Sequence, residues 1–359
     1  MLRARRLLTL AALVSGLGAF AAPAHADTTD LNASFDNAFG TQIRSPATFE
    51  AVYATGFEQR IAELADGSQG RIGVYAVDLA TGEEISVLGD QRFPLASTSK
   101  VAVAATFLAG VDAGKYSLTS EYPLMIPVRS KKFSSPRAPV KVGNYVPAYE
   151  LISLMISKSC NSCTDALLRV VGGPQEVNKW MRDTAGLGDF ELSRDIATLV
   201  RDDGEYDPVE WIDPRDSATP RAMGRLLAGI YQGRWLSPQS RRVLIAAMEE
   251  TTTGRRRMNA ALPEAAGLAH KTGTLSRTAS DIGIFRLSDG RAIAAAIYVT
   301  GQSSSLIDEA RNKGAARKMR DERIAAITRA LYNGFTARAR LQGDPTRNWT
   351  NAPPPANGG

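Results

Sequence analysis

Apolar, strand-like runs stand at both ends of this 359-residue chain and the signals between them are helical, so its main sheet has to be assembled from segments far apart in sequence. Gly70 to Ala76 alternates well enough for a strand, Ala80-Thr81-Gly82-Glu83 turns, and Glu84 to Leu88 returns, which predicts an antiparallel hairpin. Near the other end, Ile282 to Leu287 and Ala292 to Thr300 form a second apolar pair around Ser288-Asp289-Gly290. Between them, Thr219-Pro220 and Ser237-Pro238 each place a hydroxyl cap before a proline at the first helical position. Gly172-Gly173 stops a helical run that begins near Thr164, Pro174 starts another, and a further helix is predicted over roughly Lys318 to Phe335. The expected fold class is therefore α+β: an antiparallel sheet flanked by terminal helices, with an inserted all-α lobe.

The two termini stand apart from this pattern. Arg3, Arg5 and Arg6 precede an apolar stretch from Leu7 to Pro23 and the small-residue site Ala24-His25-Ala26. This reads as a signal peptide over residues 1–26, cleaved near Ala26, with a periplasmic or secreted destination. From about Gly343, Pro353-Pro354-Pro355 and the terminal glycines read as a disordered tail over 343–359. Residues 27–342 suffice for one two-lobed domain, with an α/β part over about 45–95 and 264–340 and the all-α part over about 96–263. No later segment supplies the roughly 20 uninterrupted apolar residues of a membrane span. The 43 basic and 37 acidic residues are spread along the chain, so neither nucleic acid nor a membrane surface is expected as a partner, and a monomer is.

Of the two histidines, His25 lies in the leader, which leaves His270 as the single imidazole of the mature chain. A histidine-built zinc site is thereby disfavoured, and neither metal nor cofactor is expected. Lysine becomes the more plausible general base. Cys160 and Cys163 are too few for a disulfide framework, and two thiols packing in a helix are expected in preference to a bonded C-x-x-C.

Ser97-Thr98-Ser99-Lys100 opens an apolar run from Val101 to Leu108. Positions three apart share one face of a helix, so the Lys100 amine is within reach of the Ser97 hydroxyl, a nucleophile with its base supplied locally. Alone, such a pair is a weak signal. Two further short motifs strengthen it: Ser159-Cys160-Asn161, and then Lys271-Thr272-Gly273 just ahead of the Ile282 strand.

In this order and at about these separations, the three motifs resemble those of the penicillin-recognising serine enzymes, and the class A β-lactamase family most closely. The resemblance spans roughly Gly70 to Phe335, with supporting runs at Thr164 to Pro174, Arg215 to Pro220 and Thr252 to Pro263. It implies an acyl-enzyme on Ser97 with Lys100 as initial base, a proton relay through Ser159 and Lys271, and substrate held by Asn161, Thr272, Gly273 and Thr274. The substrate would be a small-molecule β-lactam or a peptidoglycan peptide. The backbone amides of Ser97 and Thr274 are the expected oxyanion donors, each worth about 10²–10³ in rate. Arg257 is a candidate for binding the substrate carboxylate, and a merely solvated place in the Arg255-Arg256-Arg257 run is the equal alternative.

The chain departs from the family in three places. Cys160 stands where class A β-lactamases usually carry aspartate, and Ser280 where some carry a basic residue. The glutamate that activates the deacylating water in that family has no matching motif. Counting back from Asp216 puts Asp203 at its place, with Arg201 set for the loop's usual salt bridge. Counting forward from Phe190 to Arg194 puts Ile196 there instead, so the loop is enlarged, and Glu205 and Glu210 are further candidates. Three readings follow: a β-lactam hydrolase, a penicillin-binding D-alanyl-D-alanine peptidase, and a non-catalytic cell-wall-binding scaffold. Retention of both Ser97 and Lys100 weighs against the last.

Overall fold

The computed structural model describes residues 55–342 apart from position 68, so the expected signal peptide and C-terminal tail lie outside the described residues. A first helix α1 (Gly56–Leu64) leads to strands β1 (Ile72–Asp78), β2 (Glu84–Val87) and the short β3 (Phe93–Pro94). Then follow α2 (Ser99–Asp112), β4 (Glu121–Pro127), β5 (Val140–Pro147), α3 (Ala148–Ser157), α4 (Asn161–Val171) and α5 (Pro174–Lys179). The chain continues through β6 (Phe190–Glu191), α6 (Ile196–Arg201), β7 (Ser217–Ala218), α7 (Pro220–Gln232) and α8 (Pro238–Glu249). It closes with β8 (Ala269–Leu275), β9 (Thr278–Arg286), β10 (Ala292–Thr300), α9 (Leu306–Arg311) and α10 (Lys313–Gln342).

The main sheet has the order β2-β1-β10-β9-β8, so the amino-terminal hairpin is joined to the carboxy-terminal strands through β1 and β10, antiparallel with Val74 opposite Ile297. Strand β10 is buried along its whole length because both sheet faces are covered. Its alternate residues supply two separate cores. Ala294, Ala296 and Tyr298 join Tyr75, Ile282 and the helical part of the chain. Ile293, Ile297 and Val299 face Ile324, Ile327, Leu331 and Phe335, a helical stripe along α10. Each such aliphatic side chain stabilises the fold by about 1.5–3 kcal/mol relative to exposure.

The named caps behave as their chemistry requires. Thr219 and Ser237 side chains accept from the Ala222 and Ser240 amides, at 3.1 and 3.2 Å, with Pro220 and Pro238 in the first helical position. Gly172 ends α4 at φ 103°, a conformation open to glycine. The stretch between the outer strands is not all-helical, which corrects one sequence expectation. Within the part expected to be all-α, about 96–263, lie the hairpin β4–β5 and the short strands β6 and β7, β7 pairing also with β3. Most of β5 is exposed or half-buried, so it carries no apolar alternation from which it would be recognised. Among the described residues no helix is long and apolar enough to cross a membrane.

Arg320, 1% exposed, donates to Glu309 at 2.6 and 2.9 Å and to the Gly301 carbonyl at 2.6 Å, tying α10 and α9 to the end of β10. Removing one partner of a buried pair strands the other charge. Arg320→Ala is expected to lower the unfolding free energy in urea by about 3 kcal/mol, and the double change Arg320→Met with Glu309→Met to lose less. A double variant as unstable as the single one would contradict this account.

Candidate active site

Helix α2 is buried on every side from Val101 to Ala105 and again at Phe107 and Leu108, which makes it the central helix of the molecule. A single helical turn, Ala96–Thr98, leads into it and carries Ser97. Ala96 sits at φ 47°, a conformation that L-residues seldom adopt, and the surroundings hold it there. The Thr98 hydroxyl donates to the Leu95 carbonyl at 2.6 Å and meets the Tyr298 hydroxyl of β10 at 2.9 Å. Edge strand β8 closes in from the side. A Cβ at Gly273 would lie 2.4 Å from Ser280 Oγ and 3.0 Å from Ala96 Cβ, so this approach requires glycine.

The two lysines of the sequence motifs meet at one hydroxyl. Lys100 Nζ donates to Ser159 Oγ at 3.1 Å, to the Ser159 carbonyl at 2.8 Å and to Asn161 Oδ1 at 2.7 Å. Lys271 Nζ donates to the same Ser159 Oγ at 3.1 Å and to the Thr272 carbonyl at 3.0 Å. Ser159 reaches this position from the turn between α3 and α4, where its φ is 58°. An oxygen that accepts from both amines keeps its own O–H free to donate elsewhere. The bonds of Lys100 go to Ser159 and Asn161 rather than to Ser97, which faces the cleft half-exposed.

Both amines are fully buried. Burial pushes the Lys100 amine well below its usual range, and the nearby Lys271 charge adds to this, while Asp165 opposes it. Burial brings Lys271 down to about 7, against the pull of Asp281. Asp281 accepts from the Met258 amide and lies 2.8 Å from His270 Nδ1, so this imidazole is spent on a buried structural pair.

Ser97, Ser159, Asn161, Thr272, Thr274 and Arg257 line a common cleft of about 250 Å³. Arg257 is buried, unlike Arg255 and Arg256, and donates to the Gly273 and Ser280 carbonyls at 2.8 Å, to Thr274 Oγ1 at 2.7 Å and to Asp321 at 2.7 Å. Its guanidinium thus brings positive charge to the strand position at which Ser280 has none. Thr253, which sequence reasoning did not single out, also lines the cleft and shares a 2.6 Å hydrogen bond with Thr272. A threonine in a polar run carries no distinguishing signal.

The loop opposite shows which way of counting was sound. Arg194 pairs with Asp216 at 2.5 Å, whereas Arg201 pairs with Asp202 and the Ser135 carbonyl, both at 2.7 Å. The forward count therefore applies, and Ile196 lines the cleft with Leu199 and Val200. Asp203 does not line it. Its carboxylate accepts the Ser276 amide at 3.0 and 2.9 Å, beyond the end of β8, because the extra residues of the loop run on to the β8–β9 turn. The cysteine expectation is also corrected. Cys160 and Cys163 are joined by a disulfide, since the amino-terminal turn of α4 places their Cα atoms 5.3 Å apart, within bridging range.

Comparison with known proteins agrees with this geometry. Residues 56–335 match the model of the beta-lactamase enzyme family. The β-lactamase Toho-1 of Escherichia coli is 30% identical over 298 residues, which cover 81% of this chain and 93% of that protein. An imipenem-hydrolysing β-lactamase of Enterobacter cloacae is 28% identical over 268 residues, covering 73% and 87%. Among solved structures, a β-lactamase from Chitinophaga pinensis superimposes with a TM-score of 0.65 at 26% identity, covering 78% of this chain and all of that one. The ancestral class A β-lactamase GNCA gives 0.62 at 32%, with 78% of this chain and 100% of the other covered. A buried lysine pair on one serine, a second serine at a helix entrance and a family match spanning the whole described fold lead to one assignment: this chain belongs to the β-lactamase family of serine hydrolases, on the class A branch.

Proposed function

We propose that this protein is an exported hydrolase that opens the amide bond of β-lactams by forming an ester on Ser97. The observation that carries the reading is the sharing of Ser159 Oγ by Lys100 and Lys271 beside the cleft that Ser97 lines. Lys100, whose buried amine gives up its proton readily, takes the proton from Ser97 as the oxygen attacks the lactam carbonyl. Negative charge then builds on the carbonyl oxygen, where the amides of Ser97 and Thr274 would receive it. As the C–N bond breaks, the nitrogen takes the proton that Ser159 is free to donate, and Lys100 restores it. Thr272 and Arg257 line the end of the cleft that suits a substrate carboxylate, and the buried Lys271 amine adds its charge from behind Ser159. The amino-terminal leader supports export.

Mass spectrometry after incubation with a penicillin should place one adduct on the Ser97 peptide, and Ser97→Ala should abolish it; labelling that survives the substitution would refute the proposal. A second expectation concerns pH. Burial lowers the Lys271 amine to about 7, so its positive charge is present below that value and lost above it. The preference for a carboxylate-bearing lactam over its neutral methyl ester, measured as the ratio of acylation rates, should therefore decline as pH rises through about 7. Taking the ratio cancels the titration of Lys100, which both substrates share. A constant ratio from pH 6 to pH 9 would exclude Lys271 as the source of carboxylate recognition.

A further inference from the structure

Hydrolysing the ester on Ser97, on which this inference rests, needs a base to accept a proton as water attacks the carbonyl carbon and Ser97 Oγ leaves. The loop between Arg194 and Asp216 is rich in acids, yet their carboxylates are engaged elsewhere. Asp195 accepts the Thr198 amide at 2.7 Å, and Asp202 pairs with Arg201 at 2.7 Å. Asp203 holds the Ser276 amide, Asp207 pairs with Arg277 at 2.7 Å, and Glu205 and Asp213 each pair with Arg215 at 2.6 Å. Glu210 is exposed and does not line the cleft. Behind the loop, the two oxygens of Asp165 receive the Ile196 and Ala197 amides at 2.7 and 2.9 Å. What the loop presents to Ser97 is Ile196, Leu199 and Val200, and among the described residues lining the cleft there is no Asp, Glu or His.

We infer that this chain opens β-lactams much faster than it releases them, so that the ring-opened acyl group accumulates as an ester on Ser97 because an apolar wall stands where water would be activated. Lys100 does not replace the missing base. It lies with Ser159 and Asn161, on the side to which the lactam nitrogen is delivered. In a cyclic amide that nitrogen stays joined to the acyl group through the remaining ring atoms after the C–N bond breaks. It therefore remains against Ser159 and Lys100 and keeps water from them.

The test mixes the full-length protein with excess benzylpenicillin, quenches from milliseconds to hours, and follows both the adduct mass and the hydrolysed product. The expected result is one equivalent of adduct formed early, located on the Ser97 peptide and persisting for hours. Many product equivalents per second without accumulated adduct would overturn the inference while leaving acylation of Ser97 standing. Neither adduct nor product would remove the acylation reading itself. Val200 is 50% exposed and so tolerates a charge, and Val200→Glu is expected to shorten the adduct lifetime by about 10²-fold or more. Ile196→Glu is the companion variant at a buried position. An adduct equally long-lived in both, with native circular dichroism, would count against assigning its persistence to this wall.

Discussion

Two buried amines share one hydroxyl oxygen, and the rest of the architecture is arranged around that contact. Taking an ammonium out of water costs several kcal/mol unless its protons find acceptors. The acceptors come from separate places: the Ser159 carbonyl from the turn between α3 and α4, Asn161 from the first position of α4, and the Thr272 carbonyl from the edge strand β8. Burial then drives both lysines toward the neutral form. A left-handed residue at Ser159 and a glycine at 273 are what allow helix turn, strand and Ser97 to converge.

The loop facing this cluster is built on the opposite logic. Its acids act as fasteners, to Arg194, Arg215, Arg277 and the Ser276 amide, and hold an enlarged segment against the end of the sheet. Once the carboxylates face those partners, the surface left toward Ser97 is aliphatic. Acylation and deacylation make different demands on a site, and under the proposed function the lysine–serine cluster answers the first while the described wall opposite offers no carboxylate for the second. The disulfide lies beside the lysine–serine cluster. It links the residue between Ser159 and Asn161 to the first turn of α4, bracing the segment that holds Lys100.

Much of this was legible before any coordinates. The outer strands, the proline-started helices at 220 and 238 and the glycine stop at 172 follow from local rules, because caps, φ preferences and period-two burial act over a few residues. Strands β4 and β5 were not legible, because a hairpin with little buried surface carries no hydrophobic period. Whether Arg257 was buried or solvated was equally open, since three adjacent arginines look alike until one of them is covered by β8 and α10.

The amino-acid sequence by itself determined which chemical groups this protein has to work with: a serine and a lysine three residues apart, a second serine, a second lysine on a strand, and a single imidazole beyond position 26. Only the tertiary structure decided which loop residue stands opposite Ser97, and whether Cys160 and Cys163 are joined. The reason is physical: an enlarged loop has more than one self-consistent count, and the register is settled by which arginine reaches Asp216, a contact between residues 22 positions apart that no local propensity encodes.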